Sequence, residues 1–467
     1  MRLTSLKNPA SATHHRPDGV TVYHLVIAHP AGPCVLMFRD GDSWTLPFFE
    51  PQEHHFAVVD HINHTVKESL GIDTTVIRCV SYRFTQASNR VDAIYLLEAH
   101  DPEWITPESG SWIRTESVNE LCITPVQYSS IILDCLTEVS GTNTPVQRRP
   151  WARVGWFTEA EHWIGLQLGN EEILSSIYIE QMRTWERSCI LRATACNGTY
   201  YFKAMPERLI NEQRITQVLS GIFSQNSVEL AAVNLAHHWM LMKQLSGTLL
   251  TRVSDPGCWK NALSEFARIQ IYCSSILDDV AVSSCPNYRL DILDVYLDEL
   301  LADESALHLD EPAGLSMEQF VRLQSLVPAI KSALLELANY DIPYTLTHGD
   351  FWAGNVVEQN EKYTFFDWSD VTISHPFFDL TFFLEIDEGL LPTNSYAVLR
   401  DAYLEAWSQV RPEPQVRAAY DVARRLSWVH KALVEHRLIL AGIEDAAKWE
   451  FANALPYYLK KAINAWA

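Results

Sequence analysis

The stretch Leu346–Val357, LTHGDFWAGNVV, decides how this chain is read. An apolar, strand-like run gives way to His348-Gly349-Asp350. Two aromatic residues follow, then Gly354-Asn355, and then apolar residues resume. Polar side chains in a buried-looking turn need a reason, because burying them costs free energy unless they are paired. Twelve residues beyond Asn355, the run YTFFDWSDV carries Asp367. A strand, a loop and a second strand of these lengths bring Asp350, Asn355 and Asp367 to one end of a hairpin. Phosphoryl transfer needs such a set. One carboxylate orients the attacking hydroxyl and takes its proton, while an amide oxygen and a second carboxylate hold Mg2+ against nucleotide phosphates.

The bulk properties narrow the class. The chain has 467 residues, more than one ordinary domain holds. With 47% hydrophobic and 20% charged residues it has globular composition. A formal net charge of -22 disfavours nucleic acid and anionic lipid and favours a cationic small molecule or partner. The nine cysteines are scattered with no CxxC pair, which reads as free thiols in a reducing cytoplasm. The first residues, MRLTSLKNPASATHHRPDG, have no apolar core of a signal peptide, and no apolar run reaches the length of a membrane span. There is no GxxxxGK[ST], GxGxxG, HExxH or GxSxG.

The polar, Pro-containing segment Ser140–Pro150, SGTNTPVQRRP, reads as a linker. Before it, VTVYHLVIAH, PCVLMFRD, TVIRCVSYRF and VDAIYLLEAH read as strands, and HFAVVDHINHTVKESLG as a helix closed by Gly71. After it, IYIEQMRTW, SCILRATAC and TYYFKAMP read as strands, with Asn197-Gly198 suiting a type I′ turn. A helix, ERLINEQRITQVLSGIF, and a short strand, WMLMKQLSG, follow. From about residue 257 the pattern is helical, with a β-rich interruption at 343–373. Strands followed by helices suggest two lobes.

HGDFWAGN and FFDWSDVTISHPFFDL together resemble the signature of the aminoglycoside phosphotransferase / choline kinase-like family, over about residues 171–467. The resemblance implies an α+β, two-lobed protein-kinase-like fold and an ATP-dependent kinase, with GTP as the other candidate co-substrate. Asp350 would be the catalytic base, and Asn355 and Asp367 the Mg2+ ligands. His348 would be structural, and Asp379 would brace the loop or cap a helix. Lys203 would meet the nucleotide phosphates, paired with Glu212 in preference to Glu207. The backbone from Met242 to Gln244 would receive adenine. Ser188, in the Arg183–Ser188 loop, would contact phosphates. Glu385, Asp387 and Glu388 offer an acidic rim for a cationic acceptor, or simply solvated charge. The acceptor itself, a small hydroxyl compound such as an aminoglycoside, amino alcohol or sugar, is not named by these residues, and neither is the oligomeric state.

The segment SWTLPFFEPQEHHFAVVDHINHTVKESLGI resembles a Nudix domain, over about residues 20–138. Aligned on Gly71, only Glu68 survives of the glutamates that such a helix uses to hold Mg2+; His64, Thr65 and Ser69 stand at the other positions. This α/β, Nudix-like domain is therefore expected to bind or assemble, and not to hydrolyse. His54, His55, His61 and His64 read as a polar face more readily than as a metal set. The expected organisation is 1–139 Nudix-like, 140–150 linker, 151–247 small lobe with hinge, and 248–467 helical lobe. The alternative function is a non-catalytic nucleotide-binding sensor.

Overall fold

The computed structural model describes residues 19–52, 54–141, 144–169, 177–386 and 388–466, apart from the side chains of residues 280, 281 and 388. The front part contains β1 (Val20–Ala28), β2 (Cys34–Asp40), β3 (Ser43–Thr45), β4 (Phe48–Phe49), α1 (Asp60–Leu70), β5 (Thr74–Thr85), β6 (Arg90–Ala99), β7 (Gly110–Arg114), α2 (Thr115–Val118) and α3 (Tyr128–Val139). Its sheet runs β3-β2-β1-β6-β5, with β4 on β1 and β7 on β2. β1 lies parallel to β6 and is buried at eight consecutive positions. Burial on both faces removes the apolar–polar alternation of a half-exposed strand. Ile62 and Val66 of α1 pack on one face, and Ile132, Cys135 and Leu136 of α3 on the other.

A second sheet follows, from α4 (Trp156–Leu168), β8 (Tyr178–Trp185), β9 (Ser188–Ala195), β10 (Gly198–Ala204), α5 (Asn211–Ile222), β11 (Leu230–Asn234) and β12 (Trp239–Lys243). The strand order is β11-β12-β10-β9-β8. Trp156, Ala160 and Ile164 of α4 bury Phe202, Leu191 and Trp239 on one face of it. The turn between β9 and β10 differs from expectation. Gly198 pairs with Ala195, so Cys196-Asn197 are the turn residues, and Asn197 is not among the residues of positive φ.

The rest is helical around a three-stranded sheet, β13-β15-β16, and a two-stranded one, β14-β17: β13 (Thr248–Leu249), α6 (Pro256–Cys273), α7 (Val280–Ser283), α8 (Leu290–Ala302), α9 (Glu304–Leu307), α10 (Met317–Ala338), β14 (Thr345–Thr347), β15 (Val356–Gln359), β16 (Lys362–Phe365), β17 (Thr372–Ser374), α11 (Phe377–Glu385), α12 (Tyr396–Trp407), α13 (Glu413–Val434) and α14 (Ala454–Asn464). Local signals set the helix starts. Asp255 caps α6 ahead of Pro256, and Ser316 and Gln319 form a reciprocal capping box on α10. Among the described residues, no helix is long and apolar enough to cross a membrane.

The front sheet is docked onto the edge of the second sheet. Val58 bridges Arg183 antiparallel, Thr184 N–H donates to the Ala57 carbonyl (2.9 Å), and Val59 N–H donates to Met182 (3.1 Å). The helix expected from His55 therefore begins only at Asp60: residues 57–59 pair as a short extra strand on β8. Gln181 extends the junction, its amide accepting from Val76 N–H and donating to Val76 C=O, both at 2.8 Å. The segment expected as a linker is tied down at its end. Arg148 binds Glu444 and Glu138, and Arg149 binds Glu186 (2.8 Å) and the Gly442 carbonyl (2.7 Å).

Candidate active site

β14 ends at Thr347, and the chain turns through His348-Gly349-Asp350 before β15. Gly349 has φ +77°, and a Cβ there would lie 2.2 Å from the Asp370 carbonyl oxygen, so only glycine fits the turn. The turn is braced from below. Asp379, in the first turn of α11, accepts from His348 N–H (2.7 Å), Gly349 N–H (3.0 Å) and the Gln270 amide (2.9 Å). Its side chain does not cap the helix; it serves as the brace. Burial pushes the Asp379 carboxyl up to about 7, against those hydrogen bonds. His348 is fully buried, its ring 4.6 Å from Trp368 and its Nε2 3.0 Å from the Phe366 carbonyl, a structural placement. Phe351 stacks on Phe266 at 3.7 Å and anchors the loop in the core.

Asp350, Asn355 and Asp367 come together as their spacing predicts. The Asn355 amide nitrogen donates to the Asp350 backbone carbonyl (2.9 Å) and to its Oδ2 (3.4 Å). The amide oxygen is thereby the atom left to face a cation. Asp367 has φ 67°, a strained conformation for a non-glycine residue. Its carboxylate, 39% exposed, accepts from Lys203 Nζ at 2.8 Å. Burial would raise it, but Lys203 and Arg187 outweigh burial and hold it well below the usual carboxylate range. An amide oxygen and a carboxylate oxygen fit a divalent cation that keeps water and phosphate oxygens as its other ligands.

Lys203 stands at the end of β10 and also donates to Glu212 Oε1 at 2.7 Å; the two side chains are 8% and 1% exposed. Glu212, and not Glu207, is the partner, because Glu207 lies in a separate 3-10 turn ahead of α5. Burial pushes Glu212 up to about 7, opposed by Lys203.

Other expected residues fare differently. The Gln244 N–H already donates to Thr199 C=O (2.9 Å), and Met242 is paired with Tyr201 and Leu230, so this strand's hydrogen bonding is largely internal. The chain then leaves through Gly247, at φ +115°, where a Cβ would lie 2.3 Å from Glu358 O. Ser188 is buried, and its Oγ accepts the Trp185 indole N–H (3.1 Å). Glu385 is not a free rim charge: it binds Arg424, Trp428 (3.2 Å) and Tyr396 (3.1 Å). Asp387 lies outside the described residues, and so does the side chain of Glu388. In the front part, His61 faces Asp60 and His64 faces Glu68, and no metal-holding group of three or more His, Cys, Asp or Glu occurs among the described residues.

Three residues in the site have no precedent in the sequence reading. Asp370, fully buried, is held by Arg187 from the β8–β9 turn and by Lys431 from α13 (2.9 Å). Lys431 also donates to Gly349 C=O (2.7 Å) and lies 4.0 Å from Asp350. One available signal was a second aspartate three residues after Asp367. A single lysine on the apolar face of α13, WVHKALV, was another weak one.

Residues 203–426 match the model of the family described as "Phosphotransferase enzyme family". No curated protein matches the chain. Among solved structures, the chain is similar to a choline kinase from Cryptosporidium parvum Iowa II, at 12% identity and TM-score 0.46, over 66% of this chain and 93% of that one. It is similar to a choline/ethanolamine kinase family protein from Mesorhizobium loti, at 17% identity and TM-score 0.40, over 66% and 98%. It is also similar to the amicoumacin kinase hAmiN, at 11% identity and TM-score 0.44, over 65% and 96%. Residues 203–426 thus match a phosphotransferase family model, which supports a kinase with a hydroxyl acceptor.

Proposed function

We propose that the protein is an ATP-dependent O-phosphotransferase for a small, cationic acceptor such as an amino sugar or amino alcohol. The observation that carries this reading is the Asp350–Asn355 contact beside Asp367, which is itself joined to the Lys203–Glu212 pair. Lys203, fixed by Glu212, binds and orients the nucleotide phosphates. Asn355 and Asp367 would hold Mg2+, which supplies charge neutralisation between phosphates when bound. Asp350 accepts the hydrogen bond of the acceptor hydroxyl, aligns it with the γ-phosphorus and takes its proton. Burial pushes Asp350 up from the ordinary value, with Lys431 opposing, and this improves it as a base. Most of the rate gain comes from positioning and preorganised charge. The net charge of -22 supports a cationic acceptor.

The front sheet, docked on β8 through Val58 and Gln181, fits a role in assembly of the small lobe. We read it as Nudix-like and non-hydrolytic, since Glu68 stands 68% exposed on α1 beside His64.

The test is incubation with Mg-ATP and a panel of aminoglycosides, choline-like alcohols and sugars, read as ADP release. Acceptor-dependent ADP supports the reading. Nucleotide binding without turnover on any acceptor class would favour the sensor alternative.

A further inference from the structure

The turn between β8 and β9 consists of Glu186 and Arg187, because Trp185 pairs directly with Ser188. This turn has no glycine, and its restraint comes from outside its own sheet. Arg149 holds the Glu186 carboxylate, and Glu450 accepts the Glu186 N–H at 3.0 Å. Phe451 stacks on Trp185 at 5.6 Å, and the front part pairs with Arg183 and Thr184 just before the turn. The backbone is pinned while the Arg187 side chain remains partly exposed and reaches the loop after β16.

It reaches Asp370, where it also meets Ser369 Oγ at 3.0 Å. Arg187 and Lys431 share the work of holding Asp370 ionised, so Asp370 has a second cationic partner. Lys431 already sits on the other carboxylate oxygen at 2.9 Å and is fixed by Gly349 C=O. Arg187 can therefore leave without stranding a buried charge, the step that would otherwise be costly. Lys203, by contrast, is fixed by Glu212 and Asp367 at the place assigned above to the ground-state nucleotide phosphates.

We propose that Arg187 is a catalytic residue of the transfer, moving from Asp370 to the γ-phosphoryl group when nucleotide binds, while Lys431 stays and keeps Asp370 neutralised. Resting on the kinase reading above, the step is a simple displacement. The acceptor oxygen forms a bond to the γ-phosphorus as the bond to the β,γ-bridging oxygen breaks. The bonding pair leaves with ADP, and the acceptor proton passes to Asp350. Negative charge spreads over the γ-oxygens in transit, and a guanidinium matches two of them at once. Arg187 and Lys431 both lie outside the family-matched segment 203–426.

The experiment compares wild type, Arg187→Gln and Arg187→Lys. It measures kcat, the KM for ATP, and the Kd of a non-hydrolysable ATP analogue with Mg2+. Arg187→Gln is expected to lose about 100- to 1,000-fold in kcat, while the analogue Kd changes by less than about threefold. Arg187→Lys is expected to recover at least about tenfold of the loss, since charge without the fork is half of the requirement. A kcat for Arg187→Gln near wild type overturns the proposal. So does a raised KM with unchanged kcat, which would make Arg187 a ground-state binder only. Should Arg187→Gln fail to fold by circular dichroism, Arg187→Lys decides alone: a folded, charge-retaining variant with kcat at the background rate contradicts the proposal. Wild-type protein that turns over no acceptor removes the kinase reading itself, a result distinct from a working enzyme indifferent to Arg187.

Discussion

Removal of the Lys203 charge separates electrostatics of stability from those of nucleotide binding. Lys203 Nζ lies 2.7 Å from Glu212 and 2.8 Å from Asp367, and Glu212 is 1% exposed. Lys203→Met leaves Glu212 buried and uncompensated, a change that costs about 3–5 kcal/mol where a buried pair loses one partner. Part of that is relieved because burial already pushes Glu212 up to about 7, so it can take a proton near neutral pH. The expected loss by urea unfolding at pH 7.5 is therefore about 2–4 kcal/mol, allowing for that protonation. Replacing both partners, Lys203→Met with Glu212→Gln, should recover most of it, as buried pairs commonly tolerate joint replacement. Activity should not recover, because the phosphate-binding cation is still missing. The assay pairs urea denaturation with ATP-analogue titration and turnover for the four proteins of the cycle. Additive stability losses, with the double variant no better than the sum of the singles, would refute the reasoning. So would a double variant that regains wild-type nucleotide affinity.

Two further outcomes follow from the site. Asp379→Asn keeps the shape but replaces a carboxylate that accepts two backbone N–H groups. Charge-assisted hydrogen bonds contribute about 1.5–3 kcal/mol each, so chemical denaturation should show a loss of about 2–4 kcal/mol. Displacement of the loop should also lower kcat about 100-fold at unchanged nucleotide Kd; a variant with wild-type kcat would show that the brace does not position Asp350. His375 and His430 are buried, and burial pushes each down to about 3. The unfolded chain binds their protons from about pH 6.5 downward while the folded protein does not. The histidine contribution is thus full above about pH 6.5 and falls as pH is lowered, by about 2 kcal/mol per histidine at pH 5, against the opposite trend of the raised Asp379 and Glu212 carboxyls. The stability difference between His430→Phe and wild type, measured at pH 8 and at pH 5, isolates this: it should shift in favour of the variant by about 2 kcal/mol at pH 5.

Which features were legible in the sequence follows from how far apart their parts lie. Asp350, Asn355 and Asp367 sit within eighteen residues, so one hairpin fixes their meeting. Lys203 and Glu212 are neighbours on consecutive elements, a strand and the next helix, and period and spacing place them. Asp370, Arg187 and Lys431 meet only because a small-lobe turn, a loop and a late helix fold onto one point, which no local pattern encodes. The same holds for residues 57–59. Their sequence continues the apolar periodicity of α1, yet pairing with β8 draws them into a strand, and tertiary hydrogen bonding overrides local pattern. Strand β11 was missed because Leu230–Asn234 is short and only partly buried. Asn197-Gly198 suggested a turn one residue late, since the register is set by Gly198 pairing with Ala195.

The most direct measurement is turnover against nucleotide binding in Asp350→Ala. Asp350 touches no group assigned here to the nucleotide except through Asn355. The account predicts that acceptor-dependent ADP release falls by at least about 1,000-fold, the scale of lost base and positioning together, while the ATP-analogue Kd stays within about threefold. Turnover near the wild-type rate in this variant would contradict the assignment of Asp350, and with it the mechanism built around the loop.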